Sequence, residues 1–134
     1  MAALTKFAEW IGYATKAANV GSDTFTIALT NVAPTAATDA VIADLTQISY
    51  ANLSSRVLTT TSSAVTTGTL NLILADLTLT ASGGSVAAWR YVVIYDETVA
   101  GDPLVAFADR GSSVTLADGE SVLLDFVGSA LTFT

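Results

Sequence analysis

The run Trp89–Tyr95 constrains this chain more than any other stretch. Trp89, Tyr91, Val93 and Tyr95 are apolar on one alternation set, Val92 and Ile94 on the other. Successive side chains of a strand point to opposite faces. A strand apolar on both sets has both faces covered, so this one belongs at the centre of a sheet. It lies within Gly68–Arg110, where a second apolar run precedes it across Ala81-Ser82-Gly83-Gly84-Ser85. The rest of the chain must supply its partners.

Those partners can be sought in chain order. Leu4, Phe7, Ala8 and Ile11 recur at i, i+3, i+4 and i+7, which predicts a helix over residues 3–18. Trp10, Ala14 and Ala17 form a second stripe beside them, with Lys6, Glu9, Thr15 and Lys16 outward. Gly12 weakens this helix by about 1 kcal/mol relative to Ala, and Asn19 and Gly21 are stop signals. The helix either packs on its own sheet or docks on a neighbouring subunit. Phe25, Ile27 and Leu29 alternate with polar or small residues, which predicts a half-buried strand over Thr24–Thr30. Asn31–Asp39 reads as a loop, Val41–Ile48 as irregular structure with a short strand, and Ser49–Ser55 as turn.

Val57–Thr67 is β-prone, with a hydroxyl-rich, uncharged face that deters edge pairing poorly. It is either a solvated edge or an edge that pairs with a partner chain. Leu70, Leu72 and Leu74 are even-numbered, whereas Leu77 and Leu79 are odd. A one-residue shift would turn the apolar set outward, so a β-bulge is expected near Ala75-Asp76. Leu104–Ala108 continues as strand and Gly111-Ser112-Ser113 turns it. Asp118-Gly119 signals a hairpin joining Val114 and Leu116 to Val122, Leu124 and Phe126. Gly128-Ser129 breaks the chain before a last strand at Leu131 and Phe133. Short strands at regular spacing imply one mainly β domain over residues 1–134, an antiparallel sandwich or barrel-like fold with one N-terminal helix at 3–18 and a β-rich core over 22–134.

Composition narrows the function. The 134 residues fit one domain. Charged residues are only 13% of the chain, about half the ~25% usual in soluble domains, as if part of the surface faces other protein. The net charge is −7, and the cations are Lys6, Lys16, Arg56, Arg90 and Arg110. Without a basic cluster, neither nucleic acid nor an anionic membrane is an expected partner. There is no Cys and no His, which removes thiolate ligands and the commonest general base. The N-terminus does not read as a signal peptide, because Lys6 and Glu9 interrupt its apolar residues.

Few constellations carry chemistry. Asp96, Glu97 and Asp102, with Asp118 and Glu120, are the acidic set, expected as solvated loop charges rather than a metal site. Ser62, Ser82 and Ser112 have no His for a triad, and Gly83-Gly84 lacks the phosphate-loop pattern. Arg90 and Arg110 are expected in structural ion pairs. The chain therefore reads as non-enzymatic, with no catalytic, cofactor-binding or metal-ligating set.

Three blocks, Gly21–Pro34 (GSDTFTIALTNVAP), Leu77–Asp109 (LTLTASGGSVAAWRYVVIYDETVAGDPLVAFAD) and Gly111–Phe126 (GSSVTLADGESVLLDF), resemble in their order a family of small tailed-bacteriophage virion proteins. Ala87-Ala88-Trp89 stands where that family has Gly-Pro-Phe-like residues, and Phe107-Ala108 where bulkier aromatics are common. The resemblance implies a structural virion component made in the host cytoplasm. The favoured form is a capsid decoration or cement protein on the head surface. Its partners would be the major capsid protein and copies of itself, as a homo-oligomer with a trimer favoured. The alternative is a tail-associated module touching the host surface or neighbouring tail proteins. The residues expected at the protein–protein interface are Leu4, Phe7, Trp10, Ile11 and Tyr13 on the helix and Val32 and Pro34 in the loop, aromatics being favoured anchors.

Overall fold

The computed structural model describes residues 3–126 and 131–133, so the Gly128-Ser129 break lies outside the described residues. In chain order the elements are β1 (Thr5–Lys6), α1 (Trp10–Lys16), β2 (Phe25–Thr30), β3 (Thr60–Thr66), β4 (Thr69–Leu74), β5 (Leu77–Thr80), β6 (Trp89–Asp96), β7 (Leu104–Val114), β8 (Ser121–Leu124) and β9 (Leu131–Phe133). They form a four-stranded sheet in the order β1-β7-β6-β2, a three-stranded sheet β3-β4-β9 and a two-stranded sheet β5-β8. Every strand pairing is antiparallel. This is the mainly antiparallel β class expected, with sandwich-like packing and one short N-terminal helix.

The central strand is β6, as its two-sided apolar pattern requires. It pairs with β2 through Ile27↔Ile94 and Ala28↔Val93, and with β7 through Ile94↔Ala106 and Val93↔Phe107. Alternation sorts the side chains into two cores. Phe25, Ile27, Leu29, Val92, Ile94 and Ala106 face Leu72, Leu74, Leu79 and Leu124 from the other two sheets, with Phe126 just beyond β8. On the opposite face Phe7, Ala28, Val93, Tyr95 and Leu104 pack together under Ile42, Leu45 and Phe107. The four-stranded sheet is thus a middle layer. Burying its two faces supplies most of the apolar stabilisation, at roughly 25 cal/mol per Å² removed from water.

This layering corrects the reading of β2 as half-buried: all its residues are buried. Its polar face is tolerated because the hydroxyls are bonded. Thr26 Oγ1 donates to Glu97 Oε2 at 2.8 Å and Thr30 Oγ1 to the Thr46 carbonyl at 2.6 Å.

The helix is shorter than predicted. Only Trp10–Lys16 is helical, while Thr5 and Lys6 are extended and pair with Phe107 and Ala106. The Phe7 amide continues that pairing to the Val105 carbonyl at 3.0 Å. Ladder bonds at the sheet edge outweigh the helical spacing of Leu4, Phe7 and Ile11, since isolated helices of this length are marginal.

The phase change at Ala75-Asp76 is real, but it is a corner and not a bulge. β4 ends at Leu74 in one sheet and β5 starts at Leu77 in another. The Ala75 amide bonds the Thr59 carbonyl at 2.8 Å, and Asp76 Oδ1 accepts the Phe126 amide at 2.7 Å. Irregularities within ladders occur instead at Thr60/Ser62, Trp89/Tyr91 and Ile94/Tyr95. Gly111-Ser112-Ser113 does not end its strand. Trp89 pairs with Val114 and Tyr91 with Asp109, so Arg110–Ser113 loop out within β7, with Gly111 at φ +92°. Asp118-Gly119 does turn, through a Glu120 amide bond to Ala117, but β8 then pairs with β5 instead of returning along residues 114–116.

Candidate interaction surface

The seven expected interface residues separate on burial. Phe7 and Trp10 are 2% and 1% exposed, so both are core residues of their own chain and unavailable as anchors. Phe7 sits against Phe107 with ring centroids 5.3 Å apart. Trp10 meets Phe25 edge-on at 6.4 Å. Leu4 and Tyr13 are partly buried against the larger core, and Pro34 is half-buried. Ile11 and Val32, at 48% and 56% exposed, are the two that remain open. The short helix therefore docks in cis through its Trp10 side. A groove of about 340 Å³ runs along its other side, lined by Glu9, Gly12, Tyr13, Lys16 and Ala17.

The acidic set does not gather. Among the described residues, no group of three His, Cys, Asp or Glu side chains could hold a metal ion. Glu120 Oε1 accepts the Ala117 amide at 2.7 Å and Asp118 Oδ1 the Gly83 amide at 3.1 Å, so both brace turns. Asp96 departs from the expectation of a solvated loop charge, because it is fully buried. Its Oδ1 accepts the Thr98 amide at 3.0 Å and the Val99 amide at 3.4 Å. Its Oδ2 meets no donor among the described residues, and the Asp23 carboxyl acts on Asp96 from nearby. Burial first, then the hydrogen bond to and charge of Asp23, push Asp96 up to about 7. Asp23 carried no signal in the sequence, since it is 73 positions away from Asp96 in the numbering.

Arg90 makes the expected ion pair, forked onto Asp109 at 2.8 and 2.9 Å. Asp109 is reachable because it pairs with Tyr91, next to Arg90 on β6. The Arg90 hydrogen bond and then the Gly111 amide hold Asp109 below the usual carboxylate range. Among the described residues Arg110 makes no ion pair; its guanidinium donates to the Ser112 carbonyl and hydroxyl. Arg56 lies 3.7 Å over the Tyr50 ring and donates to the Ile27 carbonyl at 2.6 Å.

That last contact belongs to a larger pattern, the treatment of sheet edges. The outer edge of β2 is covered by residues 47–58: Ile27 bonds the Arg56 carbonyl, Leu58 the Phe25 carbonyl, Ile48 the Leu29 carbonyl, and Leu29 the Tyr50 hydroxyl. The outer edge of β5 is covered by Leu53 and Ser54. β1 covers part of β7, whose far end carries Asp109 and Arg110. β8 is four residues long and flanked by Glu120 and Asp125. β3 has none of these protections. It is terminal in its sheet, and Ser63–Thr66 are exposed on both faces.

The chain matches no family model, no curated protein and no solved structure.

Proposed function

We propose that this chain is a non-enzymatic structural protein of a tailed-bacteriophage virion, a decoration or cement protein that binds the major capsid protein on the head surface in many copies. The observation that carries this reading is the ordered resemblance of Gly21–Pro34, Leu77–Asp109 and Gly111–Phe126 to small virion proteins. The physical character of the chain supports it. A lattice binder needs a β scaffold with apolar side chains and strand edges open to neighbours. Ile11, Val32, Val57, Val65, Ile73 and Leu123 are exposed on a chain only 13% charged. Many weak identical contacts then add up through avidity, without any strong single anchor. Self-association is part of the reading, because a sparsely charged surface meets copies of itself at the lattice density.

The test is gold labelling of the protein in intact virions. Label distributed over the heads is the expected outcome. Label confined to the tail replaces this reading with a tail-associated module, and unlabelled particles overturn the virion assignment altogether.

A further inference from the structure

We infer that β3 is a homophilic edge, which pairs with β3 of a second copy about a two-fold axis through Ala64. Thr67 and Gly68 have φ of +52° and +76°, the two-residue turn with both central φ positive that matches strand twist. It closes the hairpin at Thr66↔Thr69, followed by Val65↔Leu70, Ala64↔Asn71 and Ser63↔Leu72. In such a turn the closing pair is hydrogen-bonded. Hydrogen-bonded and non-bonded pairs alternate along an antiparallel ladder. Thr66 and Ala64 therefore aim their backbone groups at β4, and Val65 and Ser63 aim theirs outward. No strand among the described residues receives them.

An open strand edge is a pairing template, and proteins usually blunt one with charge, proline, a cover or brevity. The edges of β2, β5, β7 and β8 carry such devices; this one carries none. From Val57 to Ala75 there is no charged residue and no proline, the longest uncharged stretch in the chain. That selects the occupant. At net charge −7, two copies repel wherever their acidic surfaces meet. They approach at least cost along this long neutral edge. The edge is also self-complementary. With the axis on Ala64, Ser63 meets Val65 of the other copy and Val65 meets its Ser63. Those are the two residues whose backbone groups point outward, so each pair exchanges both of its hydrogen bonds. Ser62 then meets Thr66, a hydroxyl pair of the kind favoured across strands. An axis on Ser63 would instead set Val65 against Thr61, beside the Thr60/Ser62 irregularity. Gly21, which lies beside Ser63, has no side chain to add bulk there. The contact is isologous, so it closes as a dimer and differs from the three-fold assembly expected from the resemblance. It stands on the edge strand and not on the virion reading, so either can fail alone.

The experiment is sedimentation velocity on the purified full chain and on Ala64→Glu and Ala64→Lys, with thermal melts to confirm folding at this exposed position. The wild type is expected to dimerise as concentration rises. Each single variant sets like charges face to face across the axis and should weaken the dimer at least roughly tenfold. An equimolar mixture of the two should restore it, which a merely disturbed fold cannot do. The chain has no Cys, so Ala64→Cys gives an independent reading. A non-bonded antiparallel pair holds its Cα atoms about 4.5 Å apart, within disulfide range. Oxidised Ala64→Cys should be captured as a covalent dimer, and Ile11→Cys should not. A monomeric wild type, a trimer, open-ended aggregation, or a dimer indifferent to both charges overturns the inference.

Discussion

Phe7 and Trp10 show how one apolar position can mean two things. At sequence level an aromatic near a terminus is as good an anchor for a partner as for its own core, because both uses bury the same surface. The contacts decide: Phe107 and Phe25 fill the space beside these two rings within the chain. Phe7→Ala and Trp10→Ala should each remove about 3–5 kcal/mol of stability, read as a lower urea midpoint. Ile11→Ala, on the exposed side of the helix, should stay within about 0.5 kcal/mol of wild type. Equal melting of all three would return Phe7 and Trp10 to the surface. The Arg90 pair was legible as an ion pair but its partner was not. Neither composition nor spacing says that β7 loops out after Asp109 and leaves that carboxylate beside Arg90.

At the scale of elements, the sequence marked positions of change better than their nature. The Leu74-to-Leu77 phase flip located a break correctly, yet a flip is equally the mark of a bulge and of a strand leaving one sheet for another. Asp118-Gly119 likewise marked a turn but not which strand the chain would pair with afterwards. The β3–β4 turn was missed because Thr67-Gly68 departs from the usual Asn-Gly or Asp-Gly pattern. Thr67 is β-branched at positive φ, a conformation that such residues resist. Thr67→Asn should therefore raise stability by about 1 kcal/mol, since Asn accepts the left-handed region more readily. Gly68→Ala should lower it by roughly 1–2 kcal/mol from backbone strain alone, as nothing lies within 4 Å of the added methyl. Chemical denaturation of both variants checks the turn. A neutral Gly68→Ala would mean that the hairpin closes differently.

At the scale of the molecule, the two-sided apolar pattern of β6 foretold the middle layer, but not that the second face is covered by Phe7 and residues 42–45 rather than by a full sheet. Nor did it foretell that this layering buries a carboxyl group. Asp96 closes β6, and Asp23, in the segment entering β2, acts on it from nearby. Burial and Asp23 raise Asp96 to about 7 in the fold, against about 3.9 in an unfolded chain. Between those values the folded state binds more protons than the unfolded state, so stability falls as pH rises. Asp109 and Asp44 act in the opposite sense. Asp109 is held low first by Arg90, and Asp44 first by the Ala40 amide, then by that of Val41. What they contribute is present above about pH 4 and is lost in stronger acid. The stability maximum should therefore lie at the acid end of this range, at about pH 4 to 5. The melting temperature should be several degrees higher at pH 5 than at pH 8. Asp96→Asn keeps the shape, cannot ionise, and offers an amide donor to Asp23. It should melt above wild type at pH 8 and lose the decline between pH 5 and pH 8, while keeping the loss in stronger acid. A wild type at least as stable at pH 8 as at pH 5 would mean that Asp96 is charged in the fold across that range.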